Sequence, residues 1–333
     1  MHGRSVVIKT AAGPDMGLGH LRRCLALASA LRKAGARTAC WTERETAEQI
    51  VQDAGYEVRR TMADDLPAPG TSDAVIFDGY HYDEALLAKA RDHAAVVLAI
   101  QDHGPVPVPA HVVLNSGVDM SQSGRTTEDC EFLLGPRYAL LDPVFSQPPH
   151  QDYPAFIRRV LLTVGGGDPH RLMPRLMAWT RDQLPQASLE AVIGPFFAET
   201  AELTEMAERC RVKLWRNPRE IHALMLNLDL AISAAGQTLF QLAACAVPTI
   251  ALGLFKNQAQ HAQTLVKHGI VAWAGWYEDA GFEARLGVAI AALADVLPRR
   301  QLGECARGQI DGRGAERVVE AMSRRLQRAS IHA

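Results

Sequence analysis

The sequence predicts an α/β protein of two domains, each built from a parallel sheet with helices packed against it. Short apolar runs alternate with amphipathic stretches along the chain, which is typical of repeated strand–helix units. A proline-rich polar stretch, residues 146–154, interrupts this alternation, and the same pattern begins again after it. The length of 333 residues also exceeds what one hydrophobic core usually spans.

The first predicted domain covers residues 1–148 and begins with a strand, because residues 5–9 contain a short apolar run. Glycines follow in a loop. Apolar residues then recur every three or four positions over residues 20–34, which predicts a helix that ends at Gly35. The remaining elements follow from the same patterns: strand 38–42, helix 43–54, strand 74–77, helix 83–92, strand 96–100 and a last strand at 111–114.

The second predicted domain covers residues 155–333. A strand over residues 159–164 opens it, and a triple-glycine turn follows. The later elements are helix 171–184, strand 188–193, strand 228–233 with a helix from 237, strand 249–252 with a helix from 259, and a final amphipathic helix, 315–328, which we expect to pack back toward the first domain. Two such domains facing each other create a cleft at the carboxyl ends of the strands, where α/β proteins bind ligands.

The composition excludes several classes of protein. A hydrophobic fraction of 48% with 22% charged residues is ordinary for a globular enzyme, and the formal net charge of -2 offers no global basic field for a nucleic acid. No apolar stretch approaches the roughly 18 residues of a membrane helix, and the first apolar run is too short for a signal peptide. The six scattered cysteines predict buried thiols in a reducing compartment, so we expect a cytoplasmic protein.

The first motif that could carry chemistry lies between the first strand and the first helix. Gly17 and Gly19 let the backbone approach a ligand there, although a lone G-x-G often only shapes a tight turn. His20 stands at the helix start, whose positive end disfavours protonation and leaves a neutral imidazole able to take a proton. The alternative on this segment alone is a histidine that merely caps the helix.

Two loops of the second domain suit an anion. The triple glycine with Asp168 lies between a strand and a helix, and in residues 233–238 small residues and a hydroxyl meet another helix start. Each is also a common loop, but together at one sheet edge they favour a diphosphate ligand. Asn257 and Gln258 follow the next strand at the same edge. They indicate a ligand site only in combination with these two loops.

Polar residues also follow strands of the first domain. Asp78 and Tyr80 follow one apolar run, and Gln101 and Asp102 follow the next, so we expect them to face the same cleft. Any single one of them could be a loop cap instead. The sequence contains no Walker lysine motif, no D-x-D metal motif and no G-x-S-x-G elbow, so we expect metal-independent chemistry without a cofactor.

Eight ordered motifs together resemble those of a known family. They are GLGHLRRCL at 17–25, FDGY at 77–80, QD at 101–102 with a later Asn115, LGPRYALL at 134–141, GGGDP at 165–169, the segment 229–238, NQ at 257–258 and IDGRGAER at 310–317. In this order they resemble the nucleotide-sugar hydrolases of pseudaminic acid biosynthesis, which are related to the spore-coat SpsG proteins. More distantly they are similar to the GT-B glycosyltransferase MurG. The resemblance implies two Rossmann-like domains of GT-B type facing across a cleft.

The resemblance also implies an activity and a set of site residues. The expected reaction is hydrolysis of a UDP-linked 2,4-diacetamido-2,4,6-trideoxyhexose at the anomeric carbon, with UDP on the C-terminal domain and the sugar facing the N-terminal one. His20 would be the general base that activates water, with Tyr80 and Asn257 as sugar-side or water-orienting partners. The residues expected to bind substrate or nucleotide are Gly17, Gly19, Arg23, Gly166, Gly167, Ala235, Gly236, Gln237, Thr238, Gln241 and Gln258.

One departure from the family pattern concerns the nucleotide. The family usually has a glutamate three residues after Thr238, where it accepts hydrogen bonds from both ribose hydroxyls, and this chain has Gln241. An amide lacks the charge assistance of a carboxylate, so the UDP preference and affinity are open. The triple glycine also replaces the usual Gly-Gly-Ser or Gly-Gly-Thr.

Three functions remain open at this point. They are a hydrolase, a transferase that admits a sugar or lipid acceptor in place of water, and a non-catalytic nucleotide-sugar binder, which the presence of His20 disfavours. We expect a monomer that binds a UDP-linked sugar, no nucleic acid and no metal, without stable membrane insertion.

Overall fold

The computed structural model describes residues 1–10, 18–79, 82–102, 108–118, 130–149, 151–198 and 200–332, without the side chains of Asn257 and His332. The chain forms two compact units. The first unit comprises Met1–Ser146 and Gly312–Ala333, and the second unit comprises Gln147–Asp311. Residues 312–333 therefore belong to the first unit, whereas the predicted boundary assigned them to the second.

The first unit is a parallel α/β sheet. Its elements up to Ser146 are β1 (Ser5–Thr10), α1 (Gly19–Lys33), β2 (Arg37–Thr42), α2 (Glu45–Asp53), β3 (Glu57–Arg60), β4 (Ala74–Asp78), α3 (Glu84–His93), β5 (Val96–Ile100), β6 (Val112–Asn115) and β7 (Glu131–Leu134). The strand order is β3-β2-β1-β4-β5-β6-β7, and every pair is parallel. The central strands β4, β5 and β6 are buried along their whole length, which explains their unbroken apolar runs.

The second unit repeats this architecture. Its elements are β8 (Arg159–Thr163), α4 (Leu172–Gln183), β9 (Ser188–Ile193), α5 (Ala201–Arg209), β10 (Val212–Arg216), α6 (Ile221–Met225), β11 (Leu230–Ala234), α7 (Thr238–Ala244), β12 (Thr249–Gly253), α8 (Ala259–Lys267), β13 (Ala272–Trp276), α9 (Phe282–Ala292) and α10 (Val296–Gln309). The parallel strand order is β10-β9-β8-β11-β12-β13. Two parallel α/β units confirm the predicted fold class.

The last helix, α11 (Gly314–His332), completes the first unit by packing against α1. Its buried face includes Val318, Met322 and Leu326, so the helix covers apolar surface that α1 would otherwise expose. Near its end, Arg4 donates from Nη2 to Ser330 Oγ at 2.9 Å, which joins the two extremes of the described chain. These contacts explain why this segment belongs to the first unit.

Each sheet has one point where the direction of strand addition reverses. In the first unit this point lies between β1 and β4, and in the second unit it lies between β8 and β11. At this point the connections that follow β1 and β4 run to opposite faces of the sheet, and such a reversal opens a crevice at the carboxyl ends of these strands. The start of α1 and the triple-glycine turn before α4 each come after the first strand at such a point.

The structure also corrects the predicted strand count. The predicted first sheet ended at residues 111–114, whereas β7 extends it, and β3, β10 and β13 were likewise not predicted. All four are edge strands in the part of the chain that the structure describes. An edge strand pairs on one side only, and β3 (EVRR) and β10 (VKLWR) carry charged side chains that break the apolar run typical of a central strand.

Candidate active site

The first turn of α1 places three chemically active side chains on one face. His20, Arg23 and Cys24 are spaced three and four residues apart, so they lie on the same side of the helix. All three are buried, with His20 and Arg23 each 6% exposed. This face meets the end of β4, the neighbour of β1 in the sheet.

Asp78, the last residue of β4, is the centre of the cluster. Its fully buried carboxylate accepts hydrogen bonds from His20 Nδ1 at 2.7 Å, from Arg23 Nε at 2.7 Å and from Cys24 Sγ at 3.2 Å. Burial alone would raise the pKa of Asp78, but the Arg23 guanidinium and the His20 ring hold it well below its ordinary value. Asp78 is therefore an ionised acceptor.

The hydrogen-bond network assigns the tautomer of His20. Because Asp78 is ionised and 2.7 Å away, Nδ1 must carry the proton that it donates, although Arg23 Nη2 also lies 3.0 Å from Nδ1. A lone pair on Nδ1 facing a carboxylate at this distance would be repelled. The lone pair of the neutral ring is therefore on Nε2, which lies 3.8 Å from Oδ2 of Asp102.

Arg23 joins Asp78 to a second carboxylate, Asp102, just after β5. Its Nη1 donates to Oδ1 of Asp102 and its Nη2 donates to Oδ2 at 2.9 Å, while Nε and Nη2 bind Asp78. Burial would raise the pKa of Asp102, and the charge of Arg23 lowers it below its ordinary value. Two carboxylates around one guanidinium leave one net negative charge beside the imidazole.

The triple-glycine turn of the second unit is shaped by close packing. Phe196 N donates to Gly166 O at 2.9 Å, and a Cβ on Gly194 would lie 2.5 Å from that same oxygen. A Cβ on Gly167 would lie 3.0 Å from the oxygen of Phe196. The approach of the two loops therefore excludes a Cβ at Gly194 and leaves little room for one at Gly167, whether or not a ligand binds there.

Asp168 caps the helix that follows this turn. Its carboxylate oxygens accept from Leu172 N at 2.9 Å and from Met173 N at 2.7 Å, the first two residues of α4. The chain's own carboxylate therefore occupies two of the N–H groups at this helix start, and the expected anion site in this loop stays a prediction. Backbone groups of Gly166 and Gly167 remain half-exposed beside it.

The ends of β11 and β12 bring Gly236 and Gln258 together. Oε1 of Gln258 accepts from Leu254 N at 3.0 Å and from Phe255 N at 3.3 Å, which fixes the side-chain amide. A Cβ on Gly236 would lie 4.0 Å from Nε2 of Gln258, so the amide donor faces the loop before α7. Gln237, Thr238 and Gln241 are half-buried at the start of α7, and Ala235 is buried before them.

No protein-family model matches the chain. It is 26% identical over 259 residues to the spore coat polysaccharide biosynthesis protein SpsG of Bacillus subtilis, which covers 74% of this chain and 75% of SpsG. It is 23% identical over 260 residues to a Helicobacter pylori protein named pseudaminic acid cytidylyltransferase and UDP-2,4-diacetamido-2,4,6-trideoxy-beta-L-altropyranose hydrolase, which covers 76% of this chain and 45% of that protein. The resemblance predicted from the motifs is confirmed.

A third relative, an uncharacterized protein of Methanocaldococcus jannaschii, is 23% identical over 278 residues, which covers 77% of this chain and 56% of that protein. The chain thus spans about half the length of two of these three relatives, 45% of one and 56% of the other.

Solved structures establish the fold type. MurG of Acinetobacter baumannii matches with a TM-score of 0.67 at 14% identity, covering 96% of this chain and 99% of that one. A protein named LpCGTa, solved in complex with UDP, matches with a TM-score of 0.62 at 13% identity, covering 96% and 99%. The protein therefore consists of two Rossmann-like units of the GT-B glycosyltransferase type.

The structure brings some of the predicted site residues together. His20 and Arg23 meet Asp78 and Asp102, and Gln258 faces Gly236. Gly19 is the first residue of α1. Gly17, Tyr80 and the side chain of Asn257 lie outside the described residues.

The link between His20 and Asp78 was not predicted from the sequence. The thiol of Cys24 was also not predicted as a donor to that carboxylate, although its spacing of four residues from His20 was an available signal.

Within the described residues, no group of three or more His, Cys, Asp or Glu side chains is arranged to hold a metal ion. Among the helices in the described ranges, none is both long enough and apolar enough to cross a membrane.

Proposed function

We propose that this protein hydrolyses a nucleotide-activated sugar at its anomeric carbon, with water as the nucleophile and a nucleoside diphosphate as the leaving group. The observation that carries this proposal is the 2.7 Å contact between His20 Nδ1 and Asp78. It fixes the imidazole with its basic nitrogen, Nε2, turned away from the buried carboxylate. A histidine held in this way by a carboxylate is a recurrent general base.

The proposed substrate is a UDP-linked 2,4-diacetamido-2,4,6-trideoxyhexose. The name of the Helicobacter pylori relative supports the sugar, and the UDP complex of LpCGTa supports the nucleotide on this fold. We assign the nucleotide to the second unit, with Gln241 near the ribose and the half-exposed Gly166 and Gly167 near the phosphates. Gly236, Gln237, Thr238 and Gln258 complete this proposed nucleotide site.

The residues of the first unit have separate proposed roles. His20 takes the proton of the attacking water, and Asp78 holds the ring and stabilises the imidazolium that forms. Arg23 is a positioning residue in this proposal and not a direct substrate ligand, because its buried guanidinium is bound by two carboxylates. Tyr80 and Asn257 remain proposed partners of the sugar or the water.

The leaving group explains why a base without an acid partner suffices. UDP departs as a stabilised anion, so the reaction needs little protonation of the leaving oxygen. It does need donors that meet the developing phosphate charge, and backbone N–H groups with the fixed Nε2 of Gln258 are suitable donors. We therefore propose a reaction that requires no metal ion.

A panel of UDP-sugars incubated with the purified protein, without any acceptor, tests the proposal. We expect release of UDP and free sugar from at least one diacetamido-trideoxyhexose. The second candidate is an inverting GT-B transferase in surface polysaccharide synthesis, which the structural likeness to glycosyltransferases favours. UDP release that appears only after addition of a sugar or lipid acceptor would support the transferase and contradict the hydrolase.

A further inference from the structure

The second unit carries a row of three aromatic rings at the carboxyl edge of its sheet. Phe255 lies in the turn after β12, His170 lies in the loop between β8 and α4, and Tyr277 directly follows β13. The ring centroids of Phe255 and His170 are 5.4 Å apart, and those of His170 and Tyr277 are 4.7 Å apart. Because the strands are parallel, all three loops leave the same edge, where α/β proteins bind their ligands.

Phe255 is the member of this row that is both fixed in place and open to a ligand. Its backbone N–H donates to Gln258 Oε1 at 3.3 Å, beside the bond from Leu254 N at 3.0 Å, and its ring rests against His170. It is nevertheless 40% exposed. Across the described ranges, Phe255 is the one exposed large apolar residue that follows a strand of the second sheet. A ring held in this way offers an apolar face to a bound group.

The contacts of Phe255 come from the loops that we assign to the nucleotide. Gln258, three residues later, faces Gly236 with its amide donor, and His170 comes three residues after Gly167 of the triple-glycine turn. Asn257, a proposed partner of the sugar, is two residues from Phe255 in the chain. The sugar is attached at the far end of the diphosphate, so a diphosphate bound by these loops would bring the sugar close to the Phe255 ring.

We propose that Phe255 is the apolar contact for the sugar and that it makes the site prefer a sugar with methyl groups over one with hydroxyl groups. The inference rests on the proposed function and adds a residue that selects its substrate. A 2,4-diacetamido-2,4,6-trideoxyhexose has a methyl on each acetamido group and another at C6, where N-acetylglucosamine has a hydroxymethyl. A methyl placed against the ring leaves water, which favours binding by about fourfold for each buried methyl. A hydroxyl placed there loses its hydrogen bond to water.

The experiment measures how much the sugar adds to the affinity of UDP. Calorimetry in the His20→Asn background, which lacks the proposed base and keeps the substrate intact, gives Kd for UDP, for UDP-N-acetylglucosamine and for the UDP-linked 2,4-diacetamido-2,4,6-trideoxyhexose. The variants are Phe255→Ala, Phe255→Leu, which keeps an apolar side chain, and Phe156→Ala. Phe156 is 80% exposed in the same unit and is the matched control.

The expected effect is confined to the deoxysugar. We expect Phe255→Ala to raise its Kd about tenfold, Phe255→Leu to raise it less than about threefold, and Phe156→Ala to leave it unchanged. The Kd values of UDP and UDP-N-acetylglucosamine should change by less than about threefold in every variant. A calorimetric Kd does not depend on the folded fraction, because unfolded protein lowers only the stoichiometry.

Several outcomes would overturn the role of Phe255. They are an unchanged Kd for the deoxysugar in Phe255→Ala, an equal loss for UDP alone, which indicates a structural role, and an equal loss for UDP-N-acetylglucosamine, which excludes the preference for methyl groups. A wild type that binds the UDP-linked deoxysugar but releases no UDP from it would overturn the hydrolysis and leave this contact intact. Failure of both the wild type and His20→Asn to bind any UDP-sugar would overturn both.

Discussion

Nδ1 of His20 lies 2.7 Å from Oδ1 of Asp78, although the two residues are 58 positions apart in the chain. The contact joins the first turn of α1 to the end of β4, and it exists because β1 and β4 are neighbours in the sheet. A buried carboxylate is stable only with donors around it, so this one dictates the rotation of the imidazole ring. The chemistry that we propose depends on that orientation.

Replacing the proposed base should abolish most turnover. His20→Asn keeps part of the size and hydrogen bonding of the side chain but cannot accept a proton, so we expect kcat for UDP release to fall by on the order of 10²–10⁴. UDP binding, measured by calorimetry, should change little because we assign the phosphates to the second unit. Near-normal turnover of the variant would assign the base elsewhere, with Asp102 next in line because Asp78 is fully buried.

Asp78 should contribute to stability in a pH-dependent way. Its pKa in the folded protein lies below the ordinary value of about 3.9, so its contribution is present above that value and is lost as the pH falls through the folded pKa. Asp78→Asn removes the charged acceptor of three buried donors, on His20, Arg23 and Cys24, and we expect a loss of about 1–3 kcal/mol at neutral pH. The variant should then lose less further stability than the wild type between pH 5 and pH 2, a range in which the aspartate carboxyl of the unfolded chain takes up its proton. Thermal unfolding across that range measures both effects, with exposed Asp92→Asn as the control. Parallel curves of stability against pH for the wild type and Asp78→Asn would contradict the assignment of Asp78 as an ionised acceptor.

Gln241→Glu tests the proposed ribose contact. If Gln241 lies at the ribose, a carboxylate there accepts hydrogen bonds from the hydroxyls with charge assistance, so UDP binding should tighten by roughly 1 kcal/mol. Calorimetry with UDP measures this change. Gln263→Glu, on an exposed face of α8 in the same unit, is the control for a general effect of the added charge. Unchanged or weaker binding would mean that Gln241 is away from the ribose or that the pocket suits another ligand.

The cap on α4 should be measurable as stability. Asp168→Ala removes the acceptor of two N–H groups at the start of the helix, and we expect a loss of about 1 kcal/mol. Asp182→Ala, in the last turn of the same helix, removes a negative charge from its negative end and should cost nothing. Chemical unfolding of the two variants makes the comparison. Equal stabilities of the two variants would show that the carboxylate of Asp168 does not act as a cap in solution.

The sequence was sufficient for the central strands and insufficient for the edges. β4 and β5 are buried on both faces, so their apolar runs were visible at once. β3 and β10 have a neighbour on one side only, and charged residues such as Arg59 and Lys213 break their patterns. Periodicity reports burial, and a strand that is half-exposed carries little of that signal.

The position of His20 in the fold was predictable, but its pairings were not. A histidine at a helix start after the first strand was expected at the carboxyl edge of the sheet, and His20 lies there beside the end of β4. The role of Arg23 was not predictable, because its two carboxylates come from β4 and from the residues after β5, and only the strand order brings them to one guanidinium. Asp168 shows the converse case, a contact within one loop. The composition of this loop predicts an anion site, but its own carboxylate accepts an N–H at the start of α4.

The membership of α11 in the first unit affects the order in which the protein can fold during synthesis. The second unit is one continuous segment, Gln147–Asp311, and all of its strands leave the ribosome before α11 exists. Until Val318, Met322 and Leu326 of α11 have been synthesised, the apolar face of α1 in the first unit stays exposed. The half of the protein that is made first is therefore the half that is finished last.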